Sequence, residues 1–354
     1  MQKFREIILH IGLPKTATTT LQSQLVGREN DFLKHDLAVY APPEFSGNGT
    51  ALCLAILDSP RWDDGARIDP QVLGHFEQFA KQSQASRLLL SSERLSYEDV
   101  AAWRRLAAHF KKWLLPCARV RILLTVRHPE SWMKSRRNQR EKSGDPWSWD
   151  NPFPALKIHT ADVLTAAWGL PCKLDIKRFE DLKFNGIWEG FVDWIGLPPA
   201  DCPAIGQTPL NSSISMESRW VMNEMGAEAR KSIQLSHQIQ NVAGIPDGLT
   251  PEESKRCWLP SSPGADINAI LESEGLAPYR PSKSGVGLKD MDLFNRHCIR
   301  SWKNLILTLK PEDQMRIQQA TRSLSRQPHM HATSVSTRFR FGIFRLWMAW
   351  KQKQ

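Results

Sequence analysis

The stretch Ile7-Ile8-Leu9-His10-Ile11-Gly12-Leu13-Pro14-Lys15-Thr16-Ala17-Thr18-Thr19-Thr20-Leu21 decides how the rest of the chain is read. Its first third is apolar and β-branched, the pattern of a strand buried in a parallel sheet. Beyond it, Leu21, Leu25 and Val26 recur at helical spacing. Gly12 and Pro14 between the two mark a tight turn. A strand, a turn and a helix opening on Lys15, Thr16, Ala17, Thr18 and Thr19 make a phosphate cradle. The N–H groups of the first helical turn have no intrahelical acceptor, and the helix dipole favours negative charge there. Lys15 adds a cation and the threonines add hydroxyl donors.

Spacing narrows the choice of cradle. A Walker A loop reads G-x-x-x-x-G-K-[ST], whereas Lys15 follows Gly12 by only three positions and has no glycine beside it. No later strand ends in an acid placed to hold Mg²⁺ as in a P-loop NTPase; the nearest is Glu93, after Arg87-Leu-Leu-Leu-Ser-Ser92.

Gly-Leu-Pro-Lys-Thr-Ala-Thr-Thr-Thr-Leu-Gln resembles the 5′-phosphosulfate loop of the sulfotransferases that use 3′-phosphoadenosine 5′-phosphosulfate (PAPS). The family's usual form has glycine where this chain has Ala17. That departure requires a backbone angle open to alanine, which a helix start is expected to provide. The resemblance implies a three-layer α/β/α fold around a central parallel sheet, like that of the P-loop hydrolases. It also implies that Gly12, Pro14, Lys15, Thr16, Ala17, Thr18 and Thr19 hold the donor's 5′ end, with no metal.

Two further constellations agree with that topology. Val120–Val126 reads as a strand closed by Arg127-His-Pro129, and Ser135 lies eight residues on, about two turns into a basic helix. A guanidinium fork with a helical hydroxyl suits a phosphate, and Arg-x7-Ser resembles the family's 3′-phosphate clamp. Read without the resemblance, Arg127 is equally a salt-bridged turn residue. Arg136, Arg137 and Arg140 extend the basic face and read as a solvated charge run. Glu93 ends the Arg87–Ser91 strand, where a carboxylate can remove the proton of an acceptor hydroxyl. Ser-Ser-Glu here resembles the carbohydrate-sulfating branch, in which a glutamate is the base. The bland alternative pairs Glu93 with Arg94 or makes it a helix cap. His10 and His128 are rival bases, although a histidine inside an apolar strand is commonly a core residue.

Composition bounds the rest. The chain has 354 residues, 41% hydrophobic and 24% charged, so a large α/β core is available. A net charge of +10 suits an anionic ligand or surface. There is no zinc-finger spacing, helix-turn-helix or RRM signature, so nucleic acid is not the expected partner. Six cysteines without a CxxC pair read as reduced thiols. The first strand begins almost at once, with no signal peptide and no span of about twenty apolar residues; since the Golgi members of the family it resembles carry such an anchor, the resemblance implies a bacterial or otherwise cytoplasmic relative.

Strands at Leu37–Tyr40, Arg87–Ser91, Val120–Val126 and Cys172–Ile176 alternate with helices, including one over Val100–Leu115 and one over Ile187–Ile195, as a parallel sheet requires. Glu180, in Arg178-Phe-Glu-Asp-Leu182, reads as architectural. Residues 1–330 are expected to form one sulfotransferase domain: motifs in 5–200, a loop-rich acceptor region over 200–290 and helices over 290–326. Within it, Pro246–Gly287 reads as long loops, and Arg280–Gly287 is the candidate for a basic loop that closes the nucleotide pocket. Trp147-Ser-Trp149-Asp150-Asn151 has the rings and polar groups of a sugar site, or pins a loop to the core. The tail, 331–354, places Phe339, Ile343, Leu346, Trp347 and Trp350 on one side of a helix between basic residues. It suits peripheral contact of 338–351 with an anionic membrane, or docking on protein. The expected acceptor is a carbohydrate or glycolipid. The rival functions are a Mg²⁺–ATP-dependent small-molecule kinase and a nucleotide-binding module that has lost catalysis.

Overall fold

Phe4–His10 form β1, buried at every position except Arg5, because both faces of this strand are covered. The computed structural model describes residues 3–42, 47–57, 71–142, 156–184, 186–206, 251–260 and 262–281, with six more between 311 and 319. After β1 come α1 (Thr18–Leu25), α2 (Glu29–Leu33), β2 (Leu37–Tyr40), α3 (Thr50–Ile56), α4 (Gln71–Gln82), β3 (Arg87–Ser91) and a 3₁₀ turn over Glu93–Tyr97. They are followed by α5 (Val100–Lys111), β4 (Leu114–Val126), α6 (Pro129–Lys142), α7 (Ala161–Trp168), β5 (Cys172–Arg178), α8 (Phe179–Phe184) and α9 (Ile187–Trp194). The last described elements of this length are α10 (Pro251–Arg256) and α11 (Pro263–Ser273).

Among the described residues five strands lie in the order β2-β3-β1-β4-β5, and every pairing between them is parallel. The expected α/β architecture with a central parallel sheet is therefore what the chain adopts. Ile8 stands opposite Leu89, and His10 opposite both Ser91 and Leu123. Because side chains alternate along a strand, these residues share one face. Ile8, Leu89 and Leu123 pack there with Leu21, Leu25, Phe32, Trp188, Phe191 and Ile195 of the helices. Ile7, Leu9, Leu88 and Ile122 point the other way and are fully buried too. α5 packs against β4 and against α7. Phe110 of α5 stacks on Trp168 of α7 at 6.2 Å and meets Phe76 of α4 edge-on at 5.5 Å.

Several boundaries differ from the sequence reading. α1 stops at Leu25 and leaves Val26 outside it, because Gly27 takes a left-handed φ of 72° and α2 starts afresh. α5 stops at Lys111, and Leu114 already belongs to β4, paired with Phe4. Between Phe4 and Glu6 the partner on β4 jumps from Leu114 to Arg119, a bulge that accommodates Pro116, which has no N–H for the ladder. α7 was not anticipated. The Pro246–Gly287 stretch is not all loop: α10 and α11 lie within it, and α11 begins with Pro263 just after the capping Ser262.

The chain divides into two units. One takes in Met1–Trp132, Pro154–Thr208 and Arg256–Pro281, and contains the sheet. The other takes in Met133–Phe153, Pro209–Lys255 and Ser282–Gln354. In it, Arg137 is buried at 3% exposure and Arg136 half-buried, so neither belongs to a solvated charge run. The side chain of Arg140, Trp147–Phe153, 282–310 and the 331–354 tail lie outside the described residues. Among the described residues, no helix is long and apolar enough to cross a membrane.

Candidate functional site

The β1–α1 loop continues the parallel ladder before it turns. Ile11 N–H donates to the Leu123 carbonyl and Leu13 N–H to that of Thr125, both at 2.9 Å, so the loop leaves the sheet between β1 and β4. Thr16 closes the turn, donating its N–H (3.2 Å) and its hydroxyl (2.5 Å) to the Leu13 carbonyl. Gly12 is the only residue that fits beneath. A Cβ there would stand 2.7 Å from Thr18 Cγ2, 2.8 Å from Thr16 Oγ1 and 3.0 Å from His10 Nε2. Pro14, Thr16 and Thr18 are buried, Lys15 and Ala17 half-buried, and Thr19 exposed.

Two non-glycine residues of the loop occupy the left-handed region: Lys15 at φ 71° and Ala17 at φ 63°. The helix start therefore does not offer Ala17 a comfortable angle. Ala17 takes the conformation for which glycine is suited, at a cost of about 1–2 kcal/mol for an L-residue.

Glu93 is the first residue of the 3₁₀ turn after β3, half-buried, and its Oε2 accepts the Thr18 hydroxyl at 2.8 Å. The neighbouring Arg94 donates its Nε to Glu98 at 2.7 Å. The Glu93 carboxylate thus lies against the opening residue of α1, a link between strand ends that no spacing in the sequence could announce.

Arg127 follows β4 directly. Its Nη1 donates to the Lys15 carbonyl at 2.7 Å, and its guanidinium lies 4.8 Å over the Phe179 ring. Burial lowers its pKa, opposed by the negative charge of Glu180, and its Nε is buried without a hydrogen-bond partner among the described residues. The Arg127 guanidinium therefore lies against the backbone of Lys15. Ser135 is a half-buried position of α6 in the second unit, and its association with Arg127 rests on sequence spacing.

His10 lies beneath the loop and is fully buried. Its Nδ1 meets Ser91 Oγ at 2.9 Å, Ser91 Oγ also accepts Gln22 Nε2 at 3.1 Å, and its Nε2 lies 3.4 Å from Thr125 Oγ1. Phe191 covers it edge-on at 5.1 Å. Burial pushes its pKa down to about 4, so it is a neutral core residue joining three strands.

His128 is tied elsewhere. Its N–H donates to Glu180 Oε1 at 3.1 Å and its Nε2 lies 2.9 Å from the Arg280 carbonyl. The other oxygen of Glu180 accepts the Tyr279 hydroxyl at 2.9 Å, and Asn268 brackets Tyr279 through its backbone N–H (2.8 Å) and carbonyl (3.1 Å). Glu180 is thus the architectural residue the sequence suggested, and Tyr279 is a partner that sequence reasoning missed. Of the anticipated closing loop, Arg280 and Pro281 are described and 282–287 lie outside the described residues.

A cleft of about 520 Å³ opens beside β5, lined by Lys177, Arg178, Asp181, Glu189, Asp193 and Leu276 among others. Among the described residues, no three His, Cys, Asp or Glu side chains are grouped to hold a metal.

What the geometry defines is a parallel α/β protein whose β1–α1 loop, at the end of the central described strand, is bonded to an arginine and a carboxylate that follow the two neighbouring strands. No family model matches the chain. No curated protein matches it either. Among solved structures, the sulfotransferase domain from the curacin biosynthetic pathway is similar over 78% of this chain and 99% of that domain, at 15% identity and a TM-score of 0.30.

Proposed function

We propose that this protein is a sulfotransferase that moves a sulfuryl group from PAPS to a hydroxyl of a carbohydrate or glycolipid, without a metal. The observation that carries the reading is convergence. Lys15 at the end of β1 is bonded through its carbonyl to Arg127 at the end of β4, and Thr18 to Glu93 at the end of β3. Ligands of parallel sheets bind beyond these carboxyl ends. The loop suits a bound anion: among the described residues the buried Nε of Arg127 beside it has no hydrogen-bond partner.

The donor supplies an activated sulfur and a phosphate leaving group. The chain's residues do the rest, by position and charge. Lys15 and the free N–H groups at the start of α1 receive the negative charge that grows on the 5′-phosphate oxygen. Arg127 forks onto the 3′-phosphate from the β4 side. Glu93, held against the cradle by Thr18, takes the proton of the attacking hydroxyl. The choice of acceptor rests on the Ser-Ser-Glu resemblance. The same reading places the protein in the cytoplasm, without a nucleic-acid partner, and brings residues 338–351 to an anionic membrane face.

Calorimetry with 3′-phosphoadenosine 5′-phosphate and with adenosine 5′-phosphate tests the donor. The doubly phosphorylated ligand should bind at least about tenfold tighter, the worth of one charged contact. Arg127→Ala should abolish that preference. Preferential binding of ATP with Mg²⁺ would instead make the protein a kinase.

A further inference from the structure

We infer that Arg127 is also a positioning residue for the cradle: its bond to the Lys15 carbonyl holds the loop in its binding conformation. This role rests on the reading of the loop as the donor's 5′ anion site, and adds to Arg127 a task distinct from gripping the 3′-phosphate. The peptide between Lys15 and Thr16 is pinned at both ends. Its carbonyl accepts Arg127 Nη1 at 2.7 Å and its N–H donates to the Leu13 carbonyl at 3.2 Å. On either side of Thr16 the backbone is left-handed, at Lys15 and at Ala17, where L-residues do not rest unaided.

The local bonds of the loop come from Thr16 before and from the helix after, where Leu21 N–H reaches the Ala17 carbonyl at 3.0 Å. At Lys15 itself the support comes from another strand. Arg127 is suited to give it: it follows β4 without an intervening residue, Phe179 covers its guanidinium, and a charged donor makes the stronger hydrogen bond. Turning the Lys15–Thr16 peptide would break both of its bonds together. The two anion pockets are therefore joined through one hydrogen bond, and a substitution at the 3′ pocket should be felt at the 5′ pocket.

A ligand-free double-mutant cycle tests the support directly. Arg127→Ala should lower the thermal midpoint in the native background, and by no more than half as much when Lys15→Gly is also present, because glycine adopts the left-handed angle without help. Equal losses in the two backgrounds would overturn the inference. Binding of adenosine 5′-phosphate, which has no 3′-phosphate, supplies the second reading. Arg127→Ala should weaken it about tenfold, the loss of one charged hydrogen bond. Arg127→Lys, which keeps a charged donor for one acceptor but no fork, should restore adenosine 5′-phosphate binding without restoring the 3′-phosphate preference. Unchanged adenosine 5′-phosphate affinity in Arg127→Ala would again refute the positioning role. If the wild type binds neither nucleotide, the donor reading fails, and the stability cycle decides the role of Arg127 alone.

Discussion

Replacing Ala17 by glycine should make this protein more stable, against the usual rule that glycine weakens a fold. Ala17 caps the N-terminus of α1 at φ 63°, ψ 22°, where its Cβ crowds the backbone. Relief of that crowding is worth about 1–2 kcal/mol. The glycine chain has more unfolded conformations to lose, which takes back about 0.4–1 kcal/mol. No capping side chain is sacrificed, because Ala17 has none, and the position is outside the helix interior. The net gain is roughly 0.5–1 kcal/mol, equivalent to about 0.7–1.3 °C in thermal midpoint for a chain of 354 residues at about 2.1 cal/mol/K per residue. Differential scanning fluorimetry, with urea titration as a second measure, reads the change. Donor affinity should be retained, since the backbone angle is the one already present. A midpoint lowered by 1 °C or more (beyond the scatter that such scans show, about 0.5 °C) would mean that residue 17 does not sit in the left-handed region.

Other substitutions, and pH, have equally definite expected outcomes. Gly12→Ala forces a Cβ to within 2.7–3.0 Å of three side-chain atoms, so it should destabilise by about 1–3 kcal/mol in urea titration and weaken donor binding by calorimetry. Glu93→Gln keeps an acceptor for Thr18 but cannot take a proton; sulfuryl transfer to a sugar panel should fall about 10²–10⁴-fold while donor affinity holds. A fall in affinity of the same size would make Glu93 a structural residue instead. Stability should be full above about pH 6.5 and decline as pH falls toward 4, because the unfolded chain protonates His10 while the folded one resists until about pH 4. Integrated over that window the loss is roughly 3 kcal/mol for His10. His109, whose pKa burial also lowers to about 4, contributes in the same window, so His10→Gln should reduce the slope of the denaturation midpoint against pH without flattening it.

The sheet and the loop were legible in the sequence because their signals are local. Leu88-Leu89-Leu90 and Ile122-Leu123-Leu124 are apolar runs too short for helices, and both became strands. Lys15 three residues after Gly12 pointed to a cradle other than a Walker A loop. Other signals were present but outweighed. Thr160 and Gly169 cap α7 at either end, yet the eight residues between offered too little periodicity to stand out. Pro251 and Pro263 read as loop punctuation, whereas each opens a helix. What no local pattern holds is the joinery of the site. The Arg127–Lys15 and Thr18–Glu93 bonds span 112 and 75 residues, and exist only because β1 lies between β3 and β4. The left-handed angle at Ala17 is equally silent, since alanine is a residue that normally rules it out.

The central place of β1 sets a schedule for biosynthesis. The strand that both neighbours need is made first, and its partners β3 and β4 end some 80 and 115 residues later, at Ser91 and Val126. At ribosomal speeds of about 5–20 residues per second, Ile7-Ile8-Leu9 waits on the order of ten seconds without either neighbour. An apolar, β-branched segment left unpaired for that long invites pairing with another nascent copy. Trigger-factor-type chaperones that hold apolar nascent segments should therefore raise the yield of this protein, and slowing translation before residue 126 should lower it.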